Sequence, residues 1–180
     1  MPQQQSSAPT YAHPRQGLEE LGDRAVWSVS SSSQGHGVEA LRDGDFTKTF
    51  WQSDGVAPHT VTASFYRKTE ISEVYLYLDS EHDESYTPSH IVVLAGPREE
   101  ELAEVGQATA DHPQGWIRIG PLQAAGGPAR AWVFVVAIVQ NHQNGRDTKI
   151  RQLHMLGPKQ EPLRGPTERP IARMMARAAR

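Results

Sequence analysis

Eight histidines, a serine run from Ser30 to Ser33 and 21 carboxylates give this 180-residue chain the residue types for acid–base, nucleophilic or metal chemistry. Spacing decides which of these is feasible. His36, His59, His82, His90, His112, His142 and His154 are scattered, with no His-x-x-x-His pair and no glutamate-containing zinc spacing. The serine run lacks the Gly-x-Ser-x-Gly elbow that exposes a nucleophile. No glycine-rich loop opens a helix, so a phosphate has no cradle. Neither an acid pair nor a Ser-His-Asp triad can be assembled from the spacing. With no cysteine, thiolate metal sites and disulfides are ruled out. Catalysis by this chain is therefore not expected, and neither a metal nor a cofactor is predicted.

What remains is recognition through hydrogen bonds and charge. Asp83-Glu84-Ser85-Tyr86-Thr87-Pro88-Ser89 leads into one apolar run, and Asn141-His142-Gln143-Asn144-Gly145-Arg146-Asp147-Thr148 joins two others. Both segments are dense in donors and acceptors, as binding loops on a rigid scaffold are. The second combines amides, imidazole and both signs of charge, a set suited to the backbone of an extended peptide. A plainer reading of that segment is a turn at Asn144-Gly145 with Arg146 paired to Asp147. A third segment runs Leu41-Arg42-Asp43-Gly44-Asp45 and continues to Trp51-Gln52-Ser53-Asp54. Its Asp43-Gly44 is a turn whose carboxylate can accept backbone N–H groups. Trp51 brings a large apolar body whose indole N–H needs a partner, and a structural role is expected for it. Asp43 and Asp45 supply only two carboxylates, too few for the six to eight oxygens around Ca²⁺.

The elements that must position these segments read as β. Val26–Ser30, Thr60–Tyr66, Ile71–Asp79, His90–Ala95, Trp116–Ile119, Ala131–Val139 and Lys149–Leu156 are short runs rich in Val, Ile, Tyr and Trp. In the last of these, Ile150, Leu153 and Met155 form an inward face interrupted by Arg151 and Gln152. Only Val38–Arg42 reads as helical, for about one turn. Short strands without βαβ alternation predict an all-β, antiparallel sandwich or jelly roll.

Charge is nearly balanced, 18 Lys+Arg against 21 Asp+Glu, and does not call for nucleic acid. It is unevenly spread: six basic and two acidic residues from Gly157 onward carry +4, leaving −7 of the net −3 on residues 1–156. Residues 1–18 are polar and proline-marked, so a disordered N-terminal tail is expected. The domain is predicted over 19–157, followed by an extended basic tail over 158–180. That tail opens with a Pro/Gly linker, and its end places Ile171, Met174, Met175 and Ala178 at helical spacing, a short helix that would form only against a partner. The longest apolar stretch, Ala131–Val139, is too short to span a bilayer and predicts a buried strand. Lacking a signal-peptide pattern, the protein is expected in the nucleus and cytoplasm, without a membrane partner.

The Leu-x-Asp-Gly…Trp-x-Ser layout resembles the galactose-binding-like jelly rolls, which include discoidin and carbohydrate-binding modules. AVWSVSS, GVEALRDGD, TFWQSDG, DESYTPS, NHQNGRDT and IRQLHM, in this order, resemble more closely the Doc-domain subunits of the anaphase-promoting complex, or cyclosome. That resemblance covers about residues 19–157. It implies a non-catalytic subunit of a RING ubiquitin ligase that shares a destruction-box degron with a β-propeller activator and promotes processive ubiquitination. The implied degron-binding surface comprises Ser85, Tyr86, Thr87 and Ser89 with His142, Asn144, Gly145, Arg146 and Asp147. In that reading His142, Asn144 and Asp147 answer the peptide's amides, and Tyr86 provides an apolar wall with a polar tip. The family's Ile-Arg terminus docks into a TPR-repeat scaffold subunit. Here the chain ends Ala179-Arg180, keeping the charge but losing three side-chain carbons, worth about 2 kcal/mol if buried. The alternative within the same fold is a carbohydrate-binding or adhesion module.

Overall fold

The computed structural model describes residues 17–160. Of the tails expected over 1–18 and 158–180, residues 1–16 and 161–180, with Ala179 and Arg180, lie outside the described residues, while Leu18 and Pro158 stand in paired strands. In chain order the strands are β1 (Leu18–Glu20), β2 (Ala25–Val29), β3 (Trp51–Gln52), β4 (His59–Glu70), β5 (Glu73–Asp79), β6 (Pro88–Arg98), β7 (Glu101–Thr109), β8 (Gln114–Ile119), β9 (Gln123–Ala124), β10 (Gly127–Pro128), β11 (Arg130–Asn141), β12 (Lys149–Ile150) and β13 (Gln152–Pro158). One four-residue helix, α1 (Ser80–Asp83), and a 3₁₀ turn at Val38–Leu41 stand among them. Among the described residues no helix is long and apolar enough to cross a membrane.

Two antiparallel sheets form a sandwich. One has the order β2-β4-β11-β6-β7 and the other β1-β13-β5-β8, with two short ribbons, β3-β12 and β9-β10, beside them. The arrangement is the expected jelly roll. Its apolar residues meet between the sheets: Phe134, Val136 and Ile138 of β11 pack with Val61 and Ala63 of β4 and with Leu76 and Leu78 of β5, all 2% exposed or less. β11 is central in its sheet and Val133, Val135 and Ala137 on its other face are buried too, so its sequence reads as a continuous apolar run rather than an alternation.

Six predicted strands appear, mostly longer than the apolar runs that announced them. The seventh, Lys149–Leu156, is two strands. β12 pairs with β3 and β13 pairs with β5, the change of partner falling at Arg151. Arg151 and Gln152 are buried rather than outward-facing, because both side chains are needed to hold other segments. β7 was not predicted. Its sequence ELAEVGQAT lies at the sheet edge with one buried residue, Val105, so it carries no apolar alternation to read.

Trp51 is fully buried, and its indole N–H donates to the Ser31 carbonyl at 2.9 Å. Truncating this side chain should leave a large cavity and an orphaned carbonyl. Trp51→Ala is expected to cost about 3–5 kcal/mol and lower the melting temperature by about 10 °C. Calorimetry checks this, and a variant melting with the wild type would contradict the core assignment.

Candidate functional site

The Asp43–Thr49 loop is folded by its own carboxylates. Asp43 Oδ1 accepts from the Asp45 amide at 2.9 Å and from Gln152 Nε2 at 2.7 Å, and Oδ2 accepts from Thr49 Oγ1 at 2.6 Å. Asp45 Oδ1 accepts from the amides of Thr47 and Lys48 at 3.0 Å each. The Lys48 amide, followed by that of Thr47, holds the Asp45 carboxyl below its ordinary range. Both acids are engaged in building a turn, the role expected of Asp43.

Arg151 anchors this loop to the next one. Its guanidinium makes a two-pronged pair with Asp83, Nε to Oδ2 at 2.9 Å and Nη2 to Oδ1 at 2.8 Å. Nη1 donates to the carbonyls of Phe46 and Thr47 at 3.2 and 2.9 Å. The hydrogen bonds it donates to Asp83 hold the Arg151 pKa above its ordinary value. Beside it, burial pushes the Asp79 carboxyl up, but hydrogen bonds from the His82 amide and ring, with the charges of His82 and Arg151, draw it below the usual range. Asp79 caps α1, accepting from the His82 amide at 3.2 Å. This fixes the entry to Ser85–Ser89.

The two polar segments singled out in the sequence meet. The His142 amide donates to the Thr87 carbonyl at 2.9 Å, His142 Nδ1 donates to the same oxygen at 2.9 Å, and Thr148 Oγ1 donates to the Tyr86 carbonyl at 3.3 Å. A Cβ added to Gly145 would lie 1.8 Å from the Ser85 carbonyl oxygen, so only glycine lets the loops touch there. Register shifts between Ile138, Gln140 and Asn141, opposite Pro88, turn the end of β11 into the loop.

Within this surface the residues divide. Asn144 and Arg146 are exposed, Tyr86 is 37% exposed, and Ser85, His142 and Gly145 are half-buried. Thr87, Asn141 and Thr148 are buried and serve the framework. Asn141 Nδ2 spans the loop to the carbonyls of Gly145 and Asp147 at 3.1 Å each. Ser89 belongs to β6, and its carbonyl holds the Ala110 amide at 2.9 Å. Asp147 is not paired with Arg146: it accepts from the Ser53 hydroxyl at 2.9 Å, while the buried His59 donates its Nε2 proton to the Arg146 carbonyl at 2.7 Å. Sequence reasoning missed Ser53 and His59 as supports, although Ser53 lies in the Trp51-Gln52-Ser53 segment it had singled out. It also missed a stack beside Tyr86. Lys149 Nζ lies 4.6 Å from the Tyr86 ring centroid and 4.5 Å from that of Phe50, which stacks on His36 at 4.2 Å.

A profile of the family described as "Anaphase-promoting complex, subunit 10 (APC10)" matches residues 2–174. The anaphase-promoting complex subunit 10 of Homo sapiens is 43% identical over 144 residues, covering 80% of this chain and 77% of that protein. That of Drosophila melanogaster is 42% identical over 141 residues, covering 78% and 72%. The subunit DOC1 of Saccharomyces cerevisiae is 29% identical over 140 residues, covering 77% of this chain and 56% of that one. Among solved structures, a family 32 carbohydrate-binding module of Clostridium perfringens NanJ in complex with galactose superposes with a TM-score of 0.63 at 11% identity, over 78% of this chain and 99% of that one. A second C. perfringens module, in complex with GalNAc-β-1,3-galactose, gives 0.63 at 10% identity, over 76% and 99%. At such identity the likeness is one of fold.

The loop contacts make two substitutions costly that a solvated loop would tolerate. Gly145→Ala must push Ser85 away, at about 1–3 kcal/mol, and Asp147→Ala leaves the Ser53 hydroxyl, which still accepts from the Thr148 amide, without an acceptor for its proton, at about 1–3 kcal/mol. Arg146→Ala, on an exposed side chain, should shift stability by about 0.5 kcal/mol or less. Urea denaturation of the three variants checks the order. Equal midpoints for all three would show that the loops do not support each other.

Proposed function

The chain belongs to the anaphase-promoting complex subunit 10 family and is a subunit of that complex, and from this premise we propose that it acts as a non-catalytic co-receptor for destruction-box degrons. In this reading the ligase presents the degron to two weak half-sites, one on this jelly roll and one on a β-propeller activator. Engaging both at once lengthens residence, so more ubiquitin is transferred per encounter. The observation that carries the reading is the joining of Ser85–Ser89 to Asn141–Thr148. A surface held by backbone contacts on both sides presents Tyr86, Asn144 and Arg146 without first having to order them, which lowers the entropic cost of binding a peptide. Asn144 offers an amide that can answer a strand's N–H and C=O groups, Arg146 a cation for an acidic flank, and Tyr86 an apolar face.

The C-terminal segment has the second role. In this reading Arg180 would dock on a TPR-repeat scaffold subunit, with Ala179 filling less of the pocket than the isoleucine implied by the family resemblance. Function in the nucleus and cytoplasm fits a subunit of a cell-cycle ligase.

Asn144 sits at φ +53°, so Asn144→Gly removes its amide without straining the turn. In a reconstituted ligase, Asn144→Gly combined with Arg146→Ala should shorten ubiquitin chains on a destruction-box substrate while the subunit still incorporates. Deleting Ala178–Arg180 should instead reduce incorporation. Wild-type processivity of the double variant at equal incorporation would contradict the co-receptor role. Full incorporation of the truncation would contradict the anchor.

A further inference from the structure

His112 and His142 are thirty positions apart and share no motif, yet the fold puts them together. The turn between β7 and β8 carries Asp111 and His112 against the start of the Asn141–Thr148 loop, with the two imidazole centroids 5.3 Å apart. One ligand atom each from Asp111, His112 and His142 lies within 4.8 Å of the others, and among the described residues no other three acids or histidines are grouped this way. We propose that Asp111, His112 and His142 bind one transition-metal ion of the zinc class, cross-linking the 111–113 turn to the candidate recognition loop.

His142 is the prearranged ligand. Its Nδ1 faces the Thr87 carbonyl at 2.9 Å, and because a carbonyl only accepts, the ring proton is on Nδ1 and the lone pair on Nε2. A backbone carbonyl that accepts the other ring N–H, fixing the tautomer and aim of the imidazole, stands behind zinc-binding histidines in general. The Nε2 lone pair accepts the His112 amide at 3.2 Å, a hydrogen bond that a bound ion would replace. His112 is held at φ +44°, a region costly for a residue with a Cβ.

The other two ligands are adjustable. The side chains of Asp111 and His112 are 96% and 79% exposed and already touch, with His112 Nδ1 2.7 Å from Asp111 Oδ1. Ligand atoms around tetrahedral zinc stand about 3.3 Å apart, so closing from 4.8 Å needs rotation of the exposed Asp111 and His112 side chains and release of the His112 amide from His142 Nε2. Two imidazole nitrogens and one carboxylate oxygen are a donor set that suits zinc and disfavours magnesium or calcium, which prefer oxygen alone. One position stays open for water or for a donor from a bound chain. Because the site does not need a degron, its failure and that of the co-receptor reading are separable.

The test uses the full chain, stripped with a chelator, dialysed and titrated with zinc chloride in a calorimeter, then examined by X-ray absorption at the zinc edge. One ion should bind, with two imidazoles and a carboxylate in its shell. His112→Ala and Asp111→Asn, both on exposed side chains, should each weaken binding by roughly tenfold or more while leaving the metal-free melting temperature unchanged. His82→Ala removes the exposed imidazole paired with Asp79 and should change nothing. No zinc uptake by the wild type, equal affinity in His112→Ala, or an equal loss in His82→Ala would each overturn the proposal.

Discussion

Arg151 and Asp83 are 7% and 2% exposed at their side chains, and the geometry of the loop end depends on the bond between them. A charged pair taken out of water is tolerated only when nearly every donor and acceptor is met. Here the carboxylate receives two prongs of the guanidinium and two backbone carbonyls receive the third nitrogen. The pair thereby ties together three pieces of chain far apart in sequence: the turn after the 3₁₀ segment, the helix that opens the Ser85–Ser89 loop, and the junction between β12 and β13. Losing either partner would leave a buried charge uncompensated, at about 3–5 kcal/mol. Neither residue has to touch a ligand for the ligand surface to depend on it.

From that clamp outward the loops hold one another. Gly145 admits the Ser85 carbonyl, Asn141 closes its own loop, and Ser53 after β3 and His59 at the start of β4 hold Asp147 and the Arg146 carbonyl. The polar groups of the conspicuous NHQNGRDT segment are thus divided between framework and surface. Those engaged with backbone, Asn141, His142 and Thr148, are buried or half-buried. Gln143, Asn144 and Arg146 remain outside.

Much of this was legible in the sequence. Strands with strong apolar runs, β4, β5, β6 and β11, announce themselves, as does the Asp43-Gly44 turn and the buried Trp51. The two polar segments could be picked out because they interrupt those runs with donors and acceptors. Their mutual contact could not, since it depends on a register shift at Gln140 and on the packing of a glycine, neither of which leaves a periodic trace. The same limit hid β7, an edge strand of small and charged residues, and the inward turn of Arg151. A charged residue beside apolar ones reads as solvent-facing until its partner is found, and Asp83 lies 68 positions away. His112 and His142 share no local spacing, a criterion that cannot see side chains brought together by two loops.

The central claim is that the Ser85–Ser89 and Asn141–Thr148 segments act as one recognition surface. Hydrogen exchange on the assembled ligase, with activator and with a destruction-box peptide added or withheld, tests it most directly. The peptide should slow exchange in both segments together, leaving the amides near Trp132 at the opposite end of β11 unchanged. Protection of neither segment, or protection centred on another face of the sandwich, would contradict the account.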